Sequence, residues 1–180
     1  MVNFIWDNIF KRSERDKDLL HILGENYLFE TLTKSELKFV KEMVHVRNYR
    51  PGEVIFRQGE IGVGMYLIAS GSIDILVEDI PADKPEKQTV FVTRLGAGDF
   101  FGELSLVEEN GRRTATSVAS VETTLIGFFK PDLLEIVERN PSTGVKIVTR
   151  LAEVLGKRLK ETTVKVTELK REMRRNPEKV

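Results

Sequence analysis

Apolar residues recur at helical spacing at both ends of this chain and at strand spacing in its middle. Val2, Ile5, Trp6, Ile9 and Phe10 form one stripe, with Asn3, Asp7, Asn8 and Lys11 mostly off it, which predicts a short amphipathic helix over 2–10. That stripe first fits packing against the rest of the fold, with a docking surface for a partner or a membrane interface as the alternative. The charged run Lys11 to Asp18 reads as a solvated turn or helix face, after which Leu19, Leu20, Ile22 and Leu23 restart a helical pattern. Thr33 and Glu36 have the spacing of a capping box, opening a helix with Leu37, Val40 and Val44 on one side.

From Val44 the period changes. Gly52, Gly59, Gly62, Gly64 and Gly71 separate the apolar runs Val54 to Phe56, Met65 to Ala69 and Ile73 to Val77, a punctuation that predicts a small antiparallel roll. Ile73, Ile75 and Val77 alternate with Asp74 and Glu78, as in a strand with one buried face, and Leu76 interrupts the alternation. Asp79 to Lys87, with two prolines and five charges, reads as a surface loop. A strand over Thr89 to Leu95, the turn Gly96-Ala97-Gly98-Asp99, and strands over Thr114 to Val121 and Thr124 to Phe129 follow. Gly96, Gly98 and Gly102 lack the spacing and the following long helix of a Rossmann fingerprint.

Pro131 and Pro141 stand where helices start, the second just after Asn140 as a cap. The helix from Pro141 to about Arg175 has a length on the order of 50 Å, more than a domain this small can cover. Along it Val148, Ala152, Leu155, Leu159, Thr162, Val166, Leu169 and Met173 alternate steps of four and three, a heptad seam that predicts a parallel homodimer coiled coil. The first half of the same helix can also cap the roll, since a helix has two faces. The expected organisation is an N-terminal helical segment over 1–43, a β-roll over 44–130, C-terminal helices over 131–175 and a tail over 176–180. The fold class is mainly β with flanking helices: a jelly-roll-like antiparallel β-roll with N-terminal helices and a long C-terminal helix.

Composition narrows function by exclusion. At 180 residues and 41% hydrophobic content the chain can bury one good core. Lys and Arg number 28 against 28 Asp and Glu, so no net field steers the protein to nucleic acid or anionic membrane. The basic residues from Lys157 to Lys179 suit the outside of a coiled coil, and no nucleic-acid partner is expected. With no cysteine, disulfides, thiolate zinc sites and cysteine nucleophiles are excluded. No apolar run is long enough to span a membrane and the start lacks the order of a signal peptide, so a cytoplasmic protein is expected. His21 and His45 are isolated, and neither a catalytic set nor a metal site is expected.

The candidate chemistry lies in Phe101-Gly102-Glu103-Leu104-Ser105-Leu106, followed by Arg112-Arg113-Thr114-Ala115-Thr116. Gly102 permits close backbone approach, and Glu103 to Glu109 can form one or two helical turns whose first N–H groups favour an anion. A carboxylate beside a bound phosphate is repulsive unless it accepts hydrogen bonds from another part of the ligand, such as a sugar hydroxyl. Arg113 supplies an opposing fork of donors. One acid, one base and exposed amides suit a ribose and its phosphate.

Gly-Glu-Leu-Ser-Leu followed by Arg-Thr-Ala resembles the phosphate-binding cassette of cyclic nucleotide-binding domains, as in catabolite activator proteins and the regulatory subunits of protein kinase A; with the turns at Tyr49 to Glu53 and Arg57 to Glu60 the resemblance covers most of residues 28–165. It implies that Glu103 holds the ribose hydroxyl, that Arg113 rather than Arg112 holds the cyclic phosphate, and that Phe101, Gly102, Leu104, Ser105, Thr114 and Ala115 complete the cassette over 101–116. Arg158-Leu159, Thr162-Thr163, Lys165-Val166 and Leu169 resemble the dimer helix of the catabolite activator branch, where adjacent hydroxyl residues reach the adenine from the two subunits. That implies cyclic AMP as ligand ahead of cyclic GMP, although Thr114 is also found after the phosphate arginine in cyclic GMP-preferring members. The DNA-reading domain of that branch is not expected, because the sequence ends at Val180. The expected protein is a homodimeric cyclic nucleotide sensor acting on a separate, unidentified protein, with a dimeric scaffold that binds no ligand as the alternative.

Overall fold

The continuous apolar run Met65 to Ala69 becomes a strand buried on both faces, and the roll is built around it. The structure, a computed structural model, describes residues 18–79 and 88–175; the stripe over 2–10, nearly all of the charged run and of the loop Asp79 to Lys87, and the tail lie outside the described residues. The chain order is α1 (helical residues 18–25), α2 (Lys34–Lys41), β1 (His45–Tyr49), β2 (Val54–Phe56), β3 (Gly64–Ser70), β4 (Ser72–Asp79), β5 (Gln88–Gly96), β6 (Phe100–Phe101), α3 (Leu104–Val107), β7 (Thr116–Ala119), β8 (Thr123–Phe129), α4 (Lys130–Arg139) and α5 (Pro141–Arg175). The strands form two four-stranded sheets, ordered β1-β8-β3-β6 and β2-β7-β4-β5, with every pairing antiparallel. This is the expected roll with flanking helices.

Two cores follow from strand alternation. Met65 and Leu67 of β3 and Ile126 and Phe128 of β8 point to the helices, where they pack with Leu23, Phe29, Val40, Ile136, Ile147 and Leu151. Their neighbours Ile68 and Leu125 point between the sheets, with Tyr49, Ile73, Phe101 and Ala119. A strand with a core on each face must be apolar at every position, which is why β3 shows no alternation. In β4 the interruption at Leu76 is a register shift: Ile75 pairs with Thr93, but Leu76 pairs with Phe91. The bulge accommodates the extra residue on β5.

Local rules hold at the helix starts. Thr33 Oγ1 accepts the Glu36 N–H at 3.3 Å and Glu36 Oε2 accepts the Thr33 N–H at 2.7 Å, completing the capping box. Glu36 also accepts from Lys146 Nζ at 2.8 Å and from the buried Thr143 hydroxyl at 3.2 Å, tying α2 to α5. These donors, Lys146 foremost, pull its carboxyl down to about 2. Asn140 Oδ1 caps α5 by accepting the Thr143 N–H at 3.3 Å.

Two strands escape the sequence pattern and one is shorter than expected. β1 is exposed at four of its five positions, so it carries no apolar alternation and is defined by its pairing with β8. β6 is only two residues and exists because Tyr66 and Leu67 pair with Phe101 and Phe100. β7 begins at Thr116 rather than Thr114, because Thr114 and Ala115 bend around the site described below.

α5 has two faces, as expected. Thr143, Gly144, Ile147, Leu151 and Val154 are buried on the roll side. Each large apolar side chain there contributes about 1.5–3 kcal/mol by leaving water. Val148, Leu159, Val166, Leu169 and Met173 of the heptad seam are exposed, and from Gly156 to Arg175 every residue is exposed. No helix among the described residues is long and apolar enough to cross a membrane.

Candidate functional site

Arg113 is a charged residue placed inside the protein with no ion-pair partner among the described residues. Its backbone is pinned by the turn Arg57 to Glu60: Arg113 N donates to Glu60 O at 2.8 Å, and Gly59 N donates to Arg113 O at 2.8 Å. The side chain is only 7% exposed. Its guanidinium lies over the Phe56 ring, 4.0 Å from the centroid. Nη1 donates to Ser105 Oγ at 2.9 Å and Gly102 O at 3.2 Å, and Nη2 donates to Gly64 O at 2.8 Å. Nε is buried with no partner. Among the described residues no carboxylate forms an ion pair with it.

Burial therefore pulls the Arg113 pKa below its ordinary value, against the opposing influence of Tyr66, Glu60 and Glu103. Guanidinium remains charged at any ordinary pH, so the site is a fixed, desolvated positive charge. Such a charge is stabilised by an incoming anion: a unit charge about 4 Å away is worth roughly 4 kcal/mol at an effective dielectric of about 20.

The glycines around it are there for closeness. Gly102 has φ +78°, and a Cβ on it would lie 2.4 Å from Arg113 Nη1. A Cβ on Gly62 would lie 2.0 Å from Ser105 Oγ and 3.1 Å from Arg113 Nε. After Gly102 the chain makes the single turn α3, with Ser105 N donating to Gly102 O at 3.2 Å and Leu106 N to Glu103 O at 3.0 Å. The backbone N–H groups of Thr114 and Ala115 donate to no acceptor among the described residues.

A cavity of about 350 Å³ opens beside this charge. All eight cassette residues expected from the sequence, 101–105 and 113–115, line it. Phe56, Ile75, Leu95 and Phe100 give it apolar walls and Thr93 adds a hydroxyl. Arg112 reaches its rim but is exposed, donating Nη1 to Gly59 O at 2.7 Å. The cavity thus offers a fixed cation and free amides at one end, a carboxylate, and an apolar slot.

Glu103 is 4% exposed, and its carboxylate is already engaged: Arg158 of α5 donates Nη1 to Glu103 Oε1. Arg158 also donates Nη2 to Phe100 O at 3.1 Å and lies over the Phe100 ring at 5.2 Å. Arg158 lines the cavity and was not among the expected site residues. The only sequence signal for it was its place in the helix motif, because a pairing across 55 positions has no local signature. Thr162 and Thr163 do not line the cavity; they are exposed on α5, each donating its hydroxyl to the carbonyl four residues back at 2.8 Å. No group of three or more His, Asp or Glu among the described residues could hold a metal ion.

The comparisons with known proteins agree with this geometry. The profile of the Cyclic nucleotide-binding domain matches residues 46–140. A "Cyclic AMP receptor protein" of Thermus thermophilus is 33% identical over 149 residues, 83% of this chain and 64% of that protein. A cAMP-dependent protein kinase regulatory subunit of Blastocladiella emersonii is 32% identical over 64% of this chain and 27% of its own length. The chain thus spans under two thirds of both relatives. The crystal structure of the Thermus thermophilus Catabolite Activator Protein superposes with a TM-score of 0.72 at 32% identity, covering 84% of this chain and 66% of that one. With its matched residues forming the roll and the cavity, the chain belongs to the cyclic nucleotide-binding domain family.

Proposed function

We propose that this protein is a cyclic nucleotide sensor whose ligand is cyclic AMP ahead of cyclic GMP, and that it acts through α5 on a separate protein. The observation that carries the reading is the buried, unpaired charge of Arg113 on a cavity that also holds Glu103. The cyclic phosphate takes the guanidinium together with the Thr114 and Ala115 amides. The ribose hydroxyl donates to Glu103, and the base lies against the apolar walls. The role is regulatory, in keeping with relatives that are called a receptor protein and a regulatory subunit.

Coupling to α5 has a physical route. A ribose hydroxyl at Glu103 shares or displaces Arg158, so occupancy changes a contact that holds α5 to the roll. The exposed seam residues Val148, Leu159, Val166, Leu169 and Met173 then transmit the change, because they form the face on which a second copy packs to form the homodimer. Thr162 and Thr163 enter the site through that dimer. Each hydroxyl proton is committed to a helix carbonyl, which leaves the oxygen as an acceptor only. An acceptor matches the exocyclic amine of adenine and not the carbonyl oxygen of guanine, which supports cyclic AMP.

The pairing of Glu103 with Arg158 favours one second reading, a dimeric scaffold whose cavity is closed by its own side chains. Isothermal titration with cyclic AMP and cyclic GMP separates the two. Saturable binding with cyclic AMP tighter supports the sensor, and absence of heat with either ligand supports the scaffold. A nucleotide mass in the purified protein would settle occupancy directly.

A further inference from the structure

The inner wall of the roll carries a polar atom that the site as described leaves unused. β7 runs between β2 and β4, and Ser117 stands level with Phe56 on one side and Ile75 on the other. Ile75 in turn stands level with Thr93 of β5. Residues directly opposite on antiparallel strands project from the same face, so Phe56, Ser117, Ile75 and Thr93 form one row across the sheet. The other three line the cavity. Ser117 is fully buried, and its Oγ has no hydrogen-bond partner.

Neighbouring hydroxyls are treated differently. Thr116 Oγ1 accepts the Gln58 N–H at 3.0 Å, and Ser72 and Ser120 share a hydrogen bond at 2.5 Å. A buried hydroxyl without a partner is destabilising, whereas alanine would fill the place without that penalty. Beside it the wall is formed by Phe56, Ile75 and Leu95, with the Thr93 hydroxyl at the end of the row. Ser117 itself lies just behind the lining, but Phe56, Ile75 and Thr93 of its row line the cavity, so what occupies the cavity can supply the partner.

We propose that Ser117 is a ligand-contacting residue whose hydroxyl hydrogen-bonds the base of the bound nucleotide. The proposal rests on the cyclic nucleotide reading above. Arg113 and the adjacent amides answer the phosphate and Glu103 answers the sugar, so the base is the part of the ligand left to meet this row. A heteroaromatic ring with polar edge atoms suits an apolar wall that bears hydroxyls at Thr93 and Ser117. Serine has three staggered χ1 positions, so a rotation about one bond turns Oγ toward the cavity without moving β7. Because a hydroxyl both donates and accepts, Ser117 tightens adenine and guanine alike and leaves the choice between them to other residues.

The test is titration of the full chain and of Ser117→Ala with cyclic AMP, cyclic GMP and ribose 3′,5′-cyclic phosphate, which lacks a base, alongside thermal denaturation without ligand. The expected result is a loss of about tenfold in affinity for both nucleotides, equivalent to about 1.4 kcal/mol. Affinity for the baseless ligand is unchanged, and the thermal midpoint is unchanged or higher. Ser117→Thr, which keeps a hydroxyl, retains most of the affinity. Nucleotide affinity within twofold of wild type, an equal loss for the baseless ligand, or a fall in thermal midpoint would each overturn the proposal. Wild-type protein that binds neither nucleotide overturns the sensor reading itself, and that outcome is visible before any variant is made.

Discussion

Replacing Arg113 by alanine removes three things at once, and they can be told apart. The first is the fixed charge: with the ligand phosphate left facing a desolvated site, the loss of binding is about 2–5 kcal/mol, or roughly thirty-fold to several-thousand-fold. The second is the donor set, since Gly64 O and Gly102 O lose the guanidinium hydrogens they accept at 2.8 and 3.2 Å. The third is the stacking on Phe56. Against these stands relief of a desolvated charge, so the net change in stability without ligand is small beside the change in binding, on the order of 1 kcal/mol or less. Arg113→Lys keeps the charge, but one ammonium cannot reach Ser105, Gly102 and Gly64 while lying flat on the ring, so it falls between wild type and alanine. Arg112→Ala loses an exposed contact to Gly59 O and weakens binding by about 0.5 kcal/mol or less. Isothermal titration with cyclic AMP, with thermal denaturation to check folding, gives the ranking. A greater loss for Arg112→Ala, or unchanged affinity in folded Arg113→Ala, would refute the assignment of the phosphate residue.

Three further outcomes follow from other contacts. Glu103→Gln weakens cyclic AMP binding because an amide is a poorer acceptor, and it also loosens Arg158; the loss should nearly vanish for the 2′-deoxy ligand, and an equal loss for both would exclude the ribose contact. Replacing Thr162 and Thr163 together by alanine lowers cyclic AMP affinity by about 1–3 kcal/mol and spares an analogue without the exocyclic amine, with sedimentation checking that the dimer persists; unchanged affinity in a dimer would remove the adenine contact. Glu36 has its carboxyl lowered from 4.5 to about 2, so its contribution is complete above pH 4.5 and is lost as pH falls toward 2. Denaturant titrations should therefore show wild type losing about 1–2 kcal/mol relative to Glu36→Gln across that window, less than full linkage because Lys146 is partly exposed; a constant difference would show that the ion pair does not act.

What the sequence alone determined were features with a local cause. The capping box at Thr33 and the prolines at the starts of α4 and α5 depend on residues a few positions apart and formed as read, and the apolar run Met65 to Ala69 formed a strand whose burial on both faces only the packing decided. The irregularity at Leu76 was visible as a break in alternation, but only pairing with β5 turned it into a bulge. The cassette was legible because its glycines and charges are contiguous enough to be recognised as a unit. What the glycines approach was not legible: a Cβ on Gly102 would meet the Arg113 guanidinium, and one on Gly62, outside the cassette, would meet the Ser105 side chain. β1 and β6 were invisible because one is exposed and the other too short to carry a period; partners elsewhere in the chain define both. The engagement of Glu103 by Arg158, the lack of an ion-pair partner for Arg113 among the described residues, and the unpaired hydroxyl of Ser117 belong entirely to tertiary structure. Whether a charge or a hydroxyl is satisfied depends on what distant segments place within about 3 Å of it, and a linear sequence records residue types without recording those distances.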